Sequence, residues 1–199
     1  MAITTDTLRA GVARIGARLE TEHQGLTELD GQVGDGDLGL TLLKAFRAMA
    51  EIKDGLPADL GLALLQLGQA TSKVSSSSFG TLMATGLLAD AKLLKGRESA
   101  EWRELSDLVR TAREAMQARG KAELGDKTVL DALAAIEPAV AQLANPVVQL
   151  AAARVAAEKA LDEFRGTPNR IGRARVYGDK TVGIDDPGMV AVKVMLEGL

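Results

Sequence analysis

Asp30, Asp35 and Asp37 lie within eight residues, in Leu29-Asp30-Gly31-Gln32-Val33-Gly34-Asp35-Gly36-Asp37-Leu38-Gly39. Carboxylate oxygens are the ligands Mg²⁺ prefers, and it usually combines one or two of them with water and substrate phosphates. Three carboxylates suffice for two ions, and the interleaved glycines allow a backbone tight enough for nearby aspartates to converge. Gly34, Gly36 and Gly39 formally match G-x-G-x-x-G. No apolar strand precedes them, however, and bare carboxylates repel a pyrophosphate unless a metal bridges the two. An EF-hand fails as well: counting from Asp30, the position that needs a bidentate Glu is Thr41. The competing reading is a solvated Asp/Gly turn, and composition alone leaves the two evenly balanced.

Other segments carry groups suited to phosphate. Ser75-Ser76-Ser77-Ser78 precedes an apolar helical stretch, where free backbone N–H groups and a positive dipole end attract anions; a plain N-cap with spare serines is the simpler reading. Arg119-Gly120-Lys121-Ala122-Glu123-Leu124-Gly125-Asp126-Lys127-Thr128 mixes flexible and charged residues, as a solvated interhelical loop also does. Gly172-Arg173-Ala174-Arg175 supplies an arginine able to grip phosphate bidentately. Asp185-Asp186-Pro187-Gly188 reads as a tight turn before the last helix, or as backbone presented to an adenine or ribose. His23 is the single histidine; it reads as a surface residue, and one histidine leaves no Ser-His-Asp arrangement in view.

Helices must position these groups. Of the 199 residues 46% are hydrophobic, 26% charged and 3% aromatic, a mix that favours packed helices over sheet. Eight helical segments are expected: Thr5 to Glu22, Leu40 to Ile52, Pro57 to Lys73, one following the serine run and reaching Leu94, Trp102 to Arg119, Thr128 to Leu143, Pro146 to near Gly166, and Met189 to Leu196. No segment reads as a strong strand, so the fold class is all-α, with antiparallel helices around a common core. Four irregular stretches interrupt it, Gly25–Gly39, the serine run, Gly120–Lys127 and Thr167–Gly188, and ordered loops of this kind usually carry function. A net charge of −3 without a basic block excludes the footprint of a nucleic-acid binder. The absence of cysteine excludes disulfides and thiolate sites. A polar start and no membrane-length apolar run lead us to expect a cytoplasmic protein with no membrane partner.

Taken together, these segments resemble the ADP-binding L subunit of dihydroxyacetone kinases, the DhaL or DAK2 domain family. The resemblance covers nearly the whole chain. It rests on Asp30-Gly31 with Gly34-Asp35-Gly36-Asp37-x-Gly39, on Arg119-Gly120-Lys121-Ala122 with Gly125-Asp126-Lys127-Thr128 and Asp131, and on Gly172-Arg173-Ala174 with Asp186-Pro187-Gly188. It implies one domain over residues 1–199, folded as an eight-helix antiparallel barrel with a nucleotide–Mg site in the loops at one end. Asp30, Asp35 and Asp37 would hold two Mg²⁺ ions against the phosphates of ADP or ATP. Leu38, Gly39, Leu40, Thr41, Val74, Ser75 and Ser76 would approach the phosphates or nucleotide, and Gly120, Val129, Arg173, Asp186, Pro187 and Gly188 would complete the pocket. This chain departs from the family in having Leu38 where His is common and Ser72-Lys73-Val74 where a Gly-Gly stretch usually precedes the serine. Both changes point to a branch serving another small ketose, such as erythrulose.

The implied activity is phosphotransfer to a ketose bound on a separate K subunit, with Asp30, Asp35, Asp37 and Arg173 as the catalytic set. The chain would be active only with that partner. The donor would be either exchanging ATP or a resident ADP recharged by a phosphotransferase-system carrier protein. A homodimer stays open. The alternatives are a non-catalytic Mg–ADP-binding regulator and a helical interaction module without nucleotide.

Overall fold

The computed structural model describes residues 2–75 and 77–199. Among these it contains eight α-helices: α1 Thr5–Val33, α2 Leu38–Ile52, α3 Leu60–Val74, α4 Ser78–Leu93, α5 Leu105–Gly120, α6 Val129–Val140, α7 Pro146–Arg165 and α8 Pro187–Gly198. Ala2–Thr4 (β1) and Ser99–Glu101 (β2) form an antiparallel two-stranded ribbon, with Ile3 opposite Ala100. Three-residue strands are too short for an alternating pattern to register, which is why the ribbon was not expected from the sequence.

Local chemistry sets the helix starts. The carboxylate of Asp59 accepts from Leu62 N at 2.8 Å and opens α3, and Asn145 Oδ1 accepts from Val147 N at 2.9 Å before Pro146. At α6, Thr128 Oγ1 accepts from Leu130 N while Asp131 reaches back to Thr128 N at 2.8 Å, a reciprocal cap. The largest departure from expectation is α1, which continues eleven residues past Glu22 to Val33. Val12, Leu19, Leu26 and Val33 recur every seven residues and are all buried, so one continuous stripe holds the helix together through Gly25 and Gly31 despite their low helix propensity.

Each helix packs on the next, and α8 closes back on α1. The connections after α1, α3, α5 and α6 are short, so successive helices run in opposite directions. Leu42, Leu43, Phe46 and Met49 of α2 meet Leu19 and Leu26 of α1 on one side of the interior, and Leu130, Ile136, Leu161 and Met189 fill the other. In such a ring the connections that follow odd-numbered helices gather at one end. Those are 34–37, 75–77, 121–128 and 166–186; they fall at the four irregular stretches seen in the sequence, except that Gly25–Val33 of the first stretch belongs to α1.

One buried group works against stability. The Asp90 carboxyl on α4 is largely buried, its Oδ1 has no hydrogen-bond partner among the described residues, and burial pushes its pKa from 3.8 to about 7. An unfolded chain releases this proton near 3.8, the folded chain only near 7, so the contribution to stability is full below about 4, declines as pH rises to about 7 and is level above. Asp90→Asn is therefore expected to stabilise the protein at pH 8 by about 2–4 kcal/mol and to flatten the pH dependence. Urea unfolding at pH 4, 6 and 8 checks this; equal gains at all three would rule out the carboxyl as the cause.

Candidate functional site

Asp30 stands on the last turn of α1 rather than in a loop, and its Oδ2 accepts from Asp37 N at 2.9 Å and Leu38 N at 3.2 Å. It thus caps the start of α2 from outside. Asp37 occupies the N-cap position of α2 without making a side-chain cap bond, which leaves its carboxylate available to the cleft. Gly36 lies between them at φ 70°, a left-handed turn that favours glycine. The result is that Asp30, Asp35 and Asp37 each offer one oxygen within 4.8 Å of the others. Burial, and secondly the nearby Asp30 charge, raise the pKa of Asp37. Crowded carboxylates repel one another, and this donor set fits hard divalent ions such as Mg²⁺. Arg173 pairs with Asp35.

These carboxylates line a cleft of about 470 Å³. Residues from all four gathered connections line it. Phe79, Leu82, Met116, Val129 and Ile171 make an apolar wall, with Ser77, Ser78, Arg119 and Arg173 also at its surface. The antiparallel ring also brings the starts of α2, α4, α6 and α8 to this end, because every even-numbered helix begins there. Four helix N-termini add partial positive charge to the region. The cleft is therefore mixed in character, lined by apolar side chains together with groups suited to cations and to anions.

Of the expected site residues, Asp30, Asp35, Asp37, Leu38, Gly120, Val129, Arg173, Asp186, Pro187 and Gly188 line the cleft together. Asp186 is committed to structure: its Oδ1 accepts from Met189 N at 2.9 Å and its Oδ2 from Asn169 Nδ2 at 2.8 Å. Burial pushes its pKa up to about 6 against these bonds and the Lys127 charge. Gly39, Leu40, Thr41, Val74 and Ser75 do not line the cleft. Gly39 packs against the His23 carbonyl of α1, Thr41 is buried towards Gly80, and Leu40 and Val74 face solvent. The Ser75 hydroxyl is turned against Gly80. Ser76 falls outside the described residues.

Among the described residues, the serines that line the cleft are Ser77 and Ser78, whereas Ser75, expected from the sequence, does not. Ser77 Oγ caps α4 by accepting from Gly80 N at 3.2 Å. The clue was the start of the apolar helix itself, since an N-cap serine belongs immediately before it. Of the apolar wall only Val129 was expected; Phe79, Leu82, Met116 and Ile171 were missed, because the wall draws on four elements that no local pattern links.

The chain matches the DAK2 domain over residues 32–199. It is 31% identical over 197 residues to the ADP-binding subunit DhaL of the PEP-dependent dihydroxyacetone kinase of Escherichia coli, covering 94% of this chain and 92% of that protein. It is also 31% identical over 183 residues to the L-erythrulose 1-kinase of Mycolicibacterium smegmatis, spanning 87% of this chain but only 31% of that longer protein. The dihydroxyacetone kinase of C. freundii, solved in complex with AMP-PNP and Mg²⁺, superposes with a TM-score of 0.74 at 25% identity, over 100% of this chain and 34% of that one. No helix among the described residues is long and apolar enough to cross a membrane. The chain belongs to the DAK2 domain family.

Proposed function

We propose that residues 1–199 act as one nucleotide-binding domain, the phosphoryl-donor subunit of a two-component kinase that phosphorylates a small ketose held by a separate K subunit. The observation that carries this reading is the convergence of Asp30, Asp35 and Asp37 within 4.8 Å at a cleft that apolar side chains also line. The wall suits an adenine ring, and the carboxylates suit two Mg²⁺ ions that in turn hold a diphosphate or triphosphate. Bound Mg²⁺ would bridge phosphate oxygens and offset the charge that develops during transfer. Arg173, released from Asp35, would reach the phosphates, with Ser77, Ser78 and the start of α4 supplying neutral donors. Catalysis of this kind needs positioning and charge compensation rather than a protein nucleophile, in keeping with a cleft that presents neither histidine nor cysteine.

Relatives described as PEP-dependent ADP-binding subunits favour a resident ADP recharged by a phosphocarrier protein, and the erythrulose kinases keep a four-carbon ketose in view. Calorimetry with ADP is the first test: saturable binding is expected with Mg²⁺ and none with excess EDTA. Mixing the chain with a K subunit, either dihydroxyacetone or erythrulose, and a phosphoenolpyruvate-charged phosphocarrier or ATP as donor should then yield the phosphorylated sugar. Tight Mg–ADP binding with no transfer under any donor would instead favour a non-catalytic regulator.

A further inference from the structure

Lys127 is the largest fully buried side chain of the chain's described residues, at 1% exposure. Buried lysines are rare unless their charge is met. Its Nζ donates to the carbonyls of Thr167 at 2.8 Å and Thr181 at 3.0 Å. Those two residues bracket a segment that holds Gly172, Arg173 and Ala174, all at the cleft. Most of that segment is short 3-10 helix or irregular, with Val176 and Tyr177 exposed, so apart from Ile171, which packs against the core, apolar burial does little to hold it.

A buried polar cluster does that instead, and Lys127 stands at its centre. Asn169 N donates to Thr181 Oγ1 at 2.8 Å, tying the two ends of the segment together. Asn169 Nδ2 donates at 2.8 Å both to the Lys127 carbonyl and to Asp186 Oδ2, which joins the segment to the start of α8. Arg170 N donates to Asp126 O at 3.1 Å. Lys127 itself has φ 63°, a left-handed conformation that an ordinary side chain adopts at a cost and that persists where surrounding structure enforces it. Burial lowers its pKa while Asp186 and Asp185 pull it back, so the ammonium sits among acceptors and anions.

We propose that Lys127 is a positioning residue: its ammonium pins both ends of the 167–181 segment to the α5–α6 connection and so holds Arg173 over the cleft. Lys127 touches neither the cleft nor the three aspartates; it acts through the segment. The effect on ligand binding rests on the nucleotide reading given above, whereas the clamp itself does not.

The test uses the full chain with two readouts. Lys127→Met keeps the side-chain length and removes the donors. It is expected to speed tryptic cleavage after Arg170, Arg173, Arg175 and Lys180 at least tenfold in the absence of nucleotide, with the helical circular dichroism retained. It should also weaken Mg–ADP binding about tenfold, and adding Arg173→Ala to it should cost little more, because the arginine is already misplaced. Since the chain has no cysteine, Lys127→Cys alkylated with bromoethylamine while unfolded and then refolded restores an ammonium at this one position, and it should recover both slow cleavage and binding. Asn169→Ala gives a second route should Lys127→Met not fold, with faster cleavage of the same segment expected. Unchanged cleavage in these variants, or no recovery on aminoethylation, overturns the clamp. Wild-type protein that fails to bind Mg–ADP overturns the nucleotide reading instead, and the cleavage rates then judge the clamp alone.

Discussion

Replacing Asp35 and Asp37 together by Asn is expected to weaken Mg–ADP binding by about 100-fold or more while leaving the protein as stable as before, or slightly more so. Loss of a group that merely supports a metal ligand typically costs 10- to 100-fold in affinity, and here two of three anionic ligands are removed outright. Stability should not fall, because neither side chain holds a helix cap, Asp30 being the residue whose carboxylate accepts from the backbone of Asp37 and Leu38, and because the lost Asp35–Arg173 pair is exposed on both sides and contributes little. Relief of repulsion also works in favour of the variant, since Asp30 raises the pKa of Asp37. The same perturbation has a pH signature. A ligand carboxyl must be ionised to hold a cation, so a raised Asp37 pKa makes Mg²⁺-dependent binding fade at higher pH than an ordinary aspartate would allow. Calorimetry at several pH values, paired with thermal unfolding of the variant, separates the two effects. A variant that binds Mg–ADP like the wild type would falsify the metal site.

The second large effect is expected from Gly39→Ala. A Cβ at this position would run into the carbonyl oxygen of His23, with the His23 carbonyl carbon at 2.9 Å and Thr27 Oγ1 at 2.5 Å. The obstacle is α1 backbone, which cannot swing aside as a flexible side chain would. The helices α1 and α2 must move apart along the seam where Leu19, Leu26, Leu38 and Leu42 pack. Overpacking of this kind costs about 3 kcal/mol, or roughly 10 °C in Tm for a chain of this size. Because Asp30 stands on α1 and Asp37 on α2, the same shift separates the two carboxylates, so Mg–ADP binding should weaken in parallel. Gly25→Ala is the control. It lies in the same α1 with nothing within 4 Å of the added methyl and should stabilise by about 0.5–1 kcal/mol through helix propensity. Equal thermal midpoints for the two variants would dispose of the close-packing argument.

Gly39 also shows how two reasons for one residue type look alike in a sequence. The glycine was expected to approach a phosphate; it lies instead where two helices touch, and only their crossing reveals this. The serine run gives a similar case on a smaller scale. That a helix starts there and offers donors was legible, but that Ser77 and Ser78 rather than Ser75 line the cleft depends on where α3 ends and how α4 docks. The long α1 was legible in principle, since Leu26 and Val33 continue the spacing of Val12 and Leu19. The glycines at 25 and 31 argued locally for a loop, and tertiary packing outweighed them.

Read alone, the sequence determined the helical class, the eight segments and the dense aspartate cluster, because helix periodicity and ligand type are properties of residues a few positions apart. Only the tertiary structure decided which loops share an end, which serines and apolar side chains meet the carboxylates, and that Lys127 is buried among carbonyls rather than solvated. Those outcomes depend on closure of the ring from α8 back to α1, a contact between chain ends whose consequences no local pattern encodes.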